Sequence, residues 1–206
     1  MSNMKAILGI AAVGFIFYTV LGSGGGARAV DLGQVTDRTS FALENYSGFL
    51  DQQEVTEISD ANMQEFTRYY QDVLNNEPRF YGETLGVAYQ DDASFTGYAD
   101  SNDNGVQDSG EAKVFSVELD SANERLIVSD VSGNSTEYRS SGGGFFTGML
   151  IGSMLSRQGG FGIMPGSFSS RKTVARSAYR APSSFGSAMR SSARSGARSG
   201  GLSAGK

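Results

Sequence analysis

The chain has 206 residues and a formal net charge of −5, and it contains neither cysteine nor histidine. Disulfides, thiolate nucleophiles, imidazole-dependent mechanisms and zinc sites built from Cys or His are therefore excluded. The length allows one ordinary domain with additional segments. Residues 31–156 hold all 22 acidic residues and only six basic ones, whereas residues 157–206 hold nine basic residues and no acid. An acidic middle thus precedes a basic end.

The first segment, residues 1–30, is predicted to be a membrane anchor or signal sequence with a linker. The uncharged run from Ala6 to Ala27 would span about 33 Å as a helix, enough for a bilayer core of roughly 30 Å. Lys5 precedes the run, so the positive-inside rule predicts a cytoplasmic N-terminus and an exported remainder. A cleaved signal peptide is the alternative, because Ala27-Arg28-Ala29 has the small-x-small form of a cleavage site. Both interpretations export the acidic middle.

Residues 31–140 are predicted to form an acidic extracytoplasmic α+β domain. Its first part, residues 31–58, has scattered apolar residues that indicate only a short, irregular helix (Phe41, Leu43, Tyr46, Phe49 and Leu50). Asp60 to Asn75 is predicted to be a helix, with apolar residues at helical spacing, Ser59 as N-cap and Pro78 beyond its end.

Short strands separated by turn-forming clusters are predicted after that helix, at residues 84–89, 94–98, 113–119, 125–130 and 136–139. An antiparallel meander covered by the helix from Asp60 is the economical architecture for these strands. The expected fold class is therefore α+β: a small antiparallel β meander with one covering helix, an N-terminal transmembrane helix and a disordered basic C-terminal tail.

Residues 100–111 match the calcium-loop pattern D-x-[DN]-x-[DN]-G-x5-E at every specified position. Calcium takes six to eight oxygen ligands at roughly 2.3–2.6 Å, and Gly105 at position six permits the sharp turn that such a loop needs. Asp108 would bind directly or through a water, and Glu111 would supply two oxygens. The expected ligands are the side chains of Asp100, Asn102, Asn104, Asp108 and Glu111 and the backbone carbonyl of Val106.

Over these twelve residues the chain resembles the calcium loops of EF-hand and dockerin proteins. Position eight, usually an aliphatic residue that pairs two EF-hand loops, is Gln107, and the flanks are predicted strands. This favours a single structural loop that holds Ca²⁺ between strands over a paired switching sensor. The alternative is a solvated turn of Asp, Asn and Gly that holds no ion.

Residues 141–156 are apolar and rich in glycine, with Gly144, Gly148, Gly152 and Ser156 recurring every fourth residue. On a helix these small residues would form one smooth stripe that lets two helices approach closely. The segment is therefore predicted to be a membrane-embedded or self-associating glycine zipper. A Gly-rich linker without fixed structure is the alternative.

Residues 157–206 are of low complexity, rich in Ser, Gly, Ala and Arg, and are predicted to be disordered. Anionic lipid or an acidic protein surface is the expected partner of this basic tail, and no nucleic acid partner is expected. With its apolar Gly/Met segment and repeats such as Ser184-Phe185-Gly186 and Arg194-Ser195-Gly196, the region 142–206 resembles uncharacterised bacterial envelope proteins of the YgiB type. The resemblance implies an envelope location and no particular chemistry.

These features together predict a non-enzymatic protein, anchored in the bacterial inner membrane with its main domain in the periplasm, that acts in interaction or assembly. A calcium-responsive regulator of a membrane partner is one alternative. The other is a hydrolase that uses carboxylates alone, with Glu83, Asp91 and Asp92 as candidates.

Overall fold

The computed structural model describes residues 29–140 and 145–181 of the chain. It contains the helices α1 (Leu32–Gln52), α2 (Asp60–Asn75) and α3 (Met149–Gly160). The six strands are β1 (Leu85–Tyr89), β2 (Phe95–Ala99), β3 (Lys113–Asp120), β4 (Arg125–Asp130), β5 (Ser135–Tyr138) and β6 (Val174–Ala175). The α+β class is confirmed. The predicted anchor helix, Ala6–Ala27, lies outside the described residues.

The sheet has the strand order β1-β2-β3-β4-β5-β6. The first five strands pair antiparallel in chain order, as a meander requires, and β6 adds to β5 in parallel. None of the helices in the described part of the chain is both long enough and apolar enough to span a membrane.

One face of the sheet, here called the inner face, packs against the helices. α2 lies over β1, and α1 lies beside α2 over β4 and β5. Phe66 and Tyr70 of α2 meet the ring of Phe95 edge-on, at centroid distances of 5.6 and 5.8 Å. Val117 of β3 pairs with Val128 of β4 in the same buried core. Residues of the inner face, such as Phe95, Val117 and Val128, are paired across the strands in this core, and this pairing sets the register of the meander.

The single covering helix of the prediction is wrong, because α1 is a second one. It is 21 residues long and regular, and Asp31 caps it by accepting hydrogen bonds from the backbone N–H groups of Gly33 and Gln34. Two of the apolar residues in this segment, Phe41 and Phe49, are 52% and 43% exposed and lie outside its buried face. The buried face of α1 instead mixes Leu, Val and Tyr with small and polar side chains.

The glycine-rich segment is part of the domain and forms α3. Leu150, Ile151 and Met154 are buried in the core that the sheet shares with α1 and α2. Gly148 is the N-cap, and Gly152 lies on the exposed side with open space around it. The apolar side of α3 therefore packs within the domain, which contradicts a membrane-embedded helix, and only its small-residue side is open.

The domain does not end at residue 140, and the chain is not disordered from residue 157 as predicted, because residues up to 181 pack against the domain. Residues 161–181, here called the strap, cross the outer face of the sheet. Arg171 pairs with Glu118 at 2.8 Å, Arg176 pairs with Asp37 of α1, and the N–H of Leu32 donates to the hydroxyl of Tyr179 at 3.3 Å. Two basic residues of this segment thus pair with acidic residues of the chain itself. Residues 182–206 lie outside the described part.

A buried ion-pair cluster fastens the strap to the sheet. The guanidinium of Arg125 donates to Asp120 at 2.7 Å and to Glu137 at 2.8 Å, both on the outer face. Its remaining donors reach the carbonyl of Phe168 at 2.8 Å and the hydroxyl of Thr173 at 3.1 Å. Burial opposes the negative charge of Glu137. Hydrogen bonds from Arg139, Arg125 and Thr173 outweigh this and lower its pKa to about 2.

The packing of α3 predicts opposite effects for two neighbouring substitutions. Met154→Ala should lower the free energy of unfolding by about 2–5 kcal/mol, because it leaves a cavity in the core. Gly152→Ala should raise it by about 0.5–1 kcal/mol, because the added methyl group meets no atom of the described residues and alanine favours a helix. Urea unfolding of residues 29–181 measures both. Equal effects of the two substitutions would contradict this packing.

The buried cluster predicts acid sensitivity. The pKa of Glu137 falls on folding, so its charge stabilises the fold above the unfolded pKa of about 4.5, and that contribution is lost as the pH falls towards 2. Glu137→Gln should therefore cost on the order of 3 kcal/mol at pH 7 and progressively less between pH 4.5 and 2. Urea midpoints across this pH range test it, with the exposed Glu124→Gln as the control. A cost that does not depend on pH would refute the role of the charge.

Candidate metal centre

The acidic loop, residues 100–111, connects β2 to β3, so the prediction that it joins two strands is confirmed. Its two ends are held by backbone hydrogen bonds. The N–H of Asp100 donates to the carbonyl of Thr84 at 2.9 Å, and that of Ala99 donates to the carbonyl of Ala112 at 3.0 Å. The sheet therefore fixes the entry and exit of the loop, while the residues between them are free to form a ring.

The first half of the loop winds around the side chain of Asp100, which is only 4% exposed. One carboxylate oxygen of Asp100 accepts from the N–H of Asn104 at 3.1 Å, and the other accepts from that of Gly105 at 2.7 Å. The side-chain oxygens of Asn102 and Asn104 likewise accept N–H groups two residues ahead. Gly105 has a φ of 72°, which a glycine adopts without steric cost.

The second half of the loop closes the ring. The two carboxylate oxygens of Glu111 accept the backbone N–H groups of Ser101 and Asp108, each at 3.0 Å. Asp108 in turn accepts hydrogen bonds from the side-chain amides of Asn102 and Asn104, each at 2.8 Å. The side chains at positions one, three, five, nine and twelve are thus joined by one hydrogen-bond network.

These residues fit a calcium ion with one adjustment. In the described part of the chain, no three His, Cys, Asp or Glu side chains stand together as a group that could hold a metal ion. The amide nitrogens of Asn102 and Asn104 face Asp108, and for a cation these two side chains would turn their oxygens inward. Each carboxylate or amide oxygen has a second lone pair beyond the one that takes an N–H group. Val106, whose side chain is 63% exposed, would contribute only its carbonyl.

Tyr98 is a residue that the sequence reasoning missed. It is fully buried on the outer face, where its ring lies over Gly86, and its hydroxyl has no hydrogen-bond partner among the described residues. Burial, together with the negative charges of Asp100, Glu111 and Asp108, raises the pKa of Tyr98 to about 12. The phenol therefore lies in the electric field of all three candidate charged ligands. The only signal in the sequence is that Tyr98 precedes Asp100 by two residues, which places both on one face of β2.

The three carboxylates named for a hydrolase have different surroundings. Asp92 accepts hydrogen bonds from the N–H and the hydroxyl of Ser94, at 3.0 and 2.6 Å, and so stabilises the turn between β1 and β2. Asp91 lies beside this turn on the rim of a cleft, and Glu83 is exposed before β1. Asp92 thus has a structural role.

Comparison of the chain with protein-family models, with curated proteins and with solved structures finds no match. The resemblances of residues 100–111 and 142–206 therefore stay predictions.

Proposed function

We propose that this chain is a non-enzymatic protein of the bacterial envelope, anchored in the inner membrane, whose periplasmic domain carries a structural calcium loop and acts in interaction or assembly. The observation that carries the proposal is the closed network of the acidic loop. It brings five oxygen-bearing side chains together around one turn, in the order that the calcium pattern specifies.

The charge of the acidic loop favours a loop that binds a cation over a solvated turn that holds no ion. Residues 100–111 contain four acidic residues and no basic one. Asp100, Asp108 and Glu111 accept hydrogen bonds from neutral groups only. Their negative charge is therefore uncompensated within the loop, and a divalent cation bound by these side chains would neutralise it.

A calcium-responsive regulator is the second candidate, and one contact favours it. The side-chain amide of Gln71 in α2 donates to the carbonyl of Gly105 at 3.4 Å and to the carbonyl of Val87 in β1 at 3.2 Å. Gln71 therefore connects the tip of the acidic loop to the helix and to the sheet. A rearrangement of the loop on calcium binding would reach α2 through this side chain.

Self-association belongs to the proposal through the open side of α3. Gly152 and Ser156 are exposed, and Gly148 is partly exposed, so a smooth strip faces solvent. Gly144, the fourth small residue of the pattern, lies outside the described residues. A second copy could pack against this strip without disturbing the buried side of α3.

The calcium hypothesis predicts a change in melting temperature. A lone loop with three charged ligands should bind near the extracellular range of about 10⁻⁴–10⁻³ M. With free calcium at ten times the dissociation constant, binding stabilises the fold by roughly 1.4 kcal/mol, which raises the melting temperature of a domain of this size by about 3–6 °C. Residues 29–181, which include α3 and the strap, should therefore melt higher in millimolar calcium than in chelator.

Two substitutions sharpen this measurement. Glu111→Gln should remove most of the calcium effect, because it removes the charge of the bidentate ligand. Asp103→Asn is the matched control, since Asp103 occupies a position that supplies no ligand. Identical melting curves of the unmodified domain with calcium and with chelator would leave residues 100–111 as an ordinary acidic turn.

The proposed topology is tested with reporters fused after residue 30 and after residue 206 in bacterial cells. Both should be active outside the cytoplasm, and the protein should remain in the membrane fraction after washing with salt. A mature N-terminus at Val30 would instead show cleavage and a secreted protein.

A further inference from the structure

An open cleft of about 710 Å³ lies between α2, the turn after β1 and the tip of the acidic loop. One wall is a face of α2, where the lining residues recur every three or four positions and so extend about 16 Å along the helix. Arg157 of α3 lies at one end of the cleft, where it pairs with Asp60 at 2.6 Å. The residues that matter here are Asp60, Gln64, Arg68 and Gln71 on the helix and Gln90, Asp91 and Asn104 opposite it.

The lining is polar and electrically balanced. Two guanidinium groups, of Arg68 and Arg157, are matched by two carboxylates, of Asp60 and Asp91. The cleft is also lined by four side-chain amides, and each amide carries a hydrogen-bond donor beside an acceptor (Gln64, Gln71, Gln90 and Asn104). Apolar side chains are few (Met63, Tyr89 and Val106). The cleft therefore offers neither the excess charge that would bind a highly charged ligand nor the apolar surface that would bind a large apolar one.

Addition of a peptide strand to β1 is disfavoured by the same region. The side chain of Asn75 accepts from the N–H of Leu85 and donates to its carbonyl, both at 2.8 Å. Gln71 donates to the carbonyl of Val87. Amides of α2 thus occupy backbone groups on the outer edge of β1 that an added strand would use.

We propose that this cleft binds a neutral oligosaccharide. Neighbouring hydroxyls of a sugar both donate and accept hydrogen bonds, as the paired groups of a side-chain amide do, and a neutral chain matches a wall whose charges cancel. Gln64 and Arg68 are exposed and make no hydrogen bond or ion pair with other described residues, so both are free to bind. The proposal goes beyond the calcium loop and does not require the loop to hold an ion.

The test uses the full chain in lipid nanodiscs, without sugar-based detergent. Chitotriose, cellotriose and maltotriose are titrated separately by calorimetry, and at least one should bind saturably. The double variant Gln64→Ala, Arg68→Ala should weaken that binding at least about tenfold, because two hydrogen-bonding groups are lost. The matched control, Gln52→Ala with Lys172→Ala, removes similar exposed side chains far from the cleft and should bind as the unmodified chain does.

A second variant separates binding from folding. Gln90→Ala alters the opposite wall of the cleft and should also weaken binding, while melting curves show that each variant is folded. Absence of binding by all three trisaccharides, or equal binding by the unmodified chain and both cleft variants, would overturn the proposal. Saturable binding of the blocked peptide acetyl-(Ala)₅-amide in place of the sugars would also overturn it, in favour of a peptide site.

Discussion

The buried guanidinium of Arg125 is the interaction on which the outer half of the structure depends. A charged group taken out of water is tolerated only where opposite charges and hydrogen-bond acceptors replace its hydration. Asp120 and Glu137 supply the charges from neighbouring strands, but the carbonyl of Phe168 and the hydroxyl of Thr173 come from the strap. The meander without the strap would hold a cation with unsatisfied donors. Domain and strap are therefore one folding unit, although their compositions differ sharply.

The sequence predicts an element well when the residues that start it, bury it and end it all lie within or next to that element. α2 has its bounds as predicted because its cap, its apolar stripe and its stop lie within the segment itself. The length and regularity of α1 are not evident from the sequence, because Thr36 and Thr39 occupy positions on its buried face. Their hydroxyls donate to the carbonyls of Leu32 and Val35 four residues earlier, at 2.6 and 2.7 Å, so polar residues could be buried at little cost. A pattern search that counts apolar residues alone overlooks such a helix.

The order of the strap and the packing of Tyr98 beside the acidic loop could not be predicted from neighbouring residues in the sequence. A run rich in Ser, Gly and Arg has too little apolar surface to order itself, but ion pairs with Asp37 and Glu118 fasten it to a distant surface. In the site, the spacing predicted which residues form the acidic loop. It could not predict that Tyr98 turns its ring over Gly86, which is possible only because the neighbouring strand has no side chain at that point. Both features depend on pairings between residues far apart in the chain.

The packing of α3 also constrains the topology of the whole chain. Residues 142–156 could cross a bilayer only if Leu150, Ile151 and Met154 left the core, so a folded domain and a second membrane span exclude each other. The contact between Leu32 and Tyr179 brings the start and the end of the described chain together. With the proposed anchor before residue 29, the end of the described chain at residue 181 would lie at the membrane-proximal end of the domain. Anionic lipid, one of the partners proposed for the basic residues of the chain, would then lie near this end of the domain.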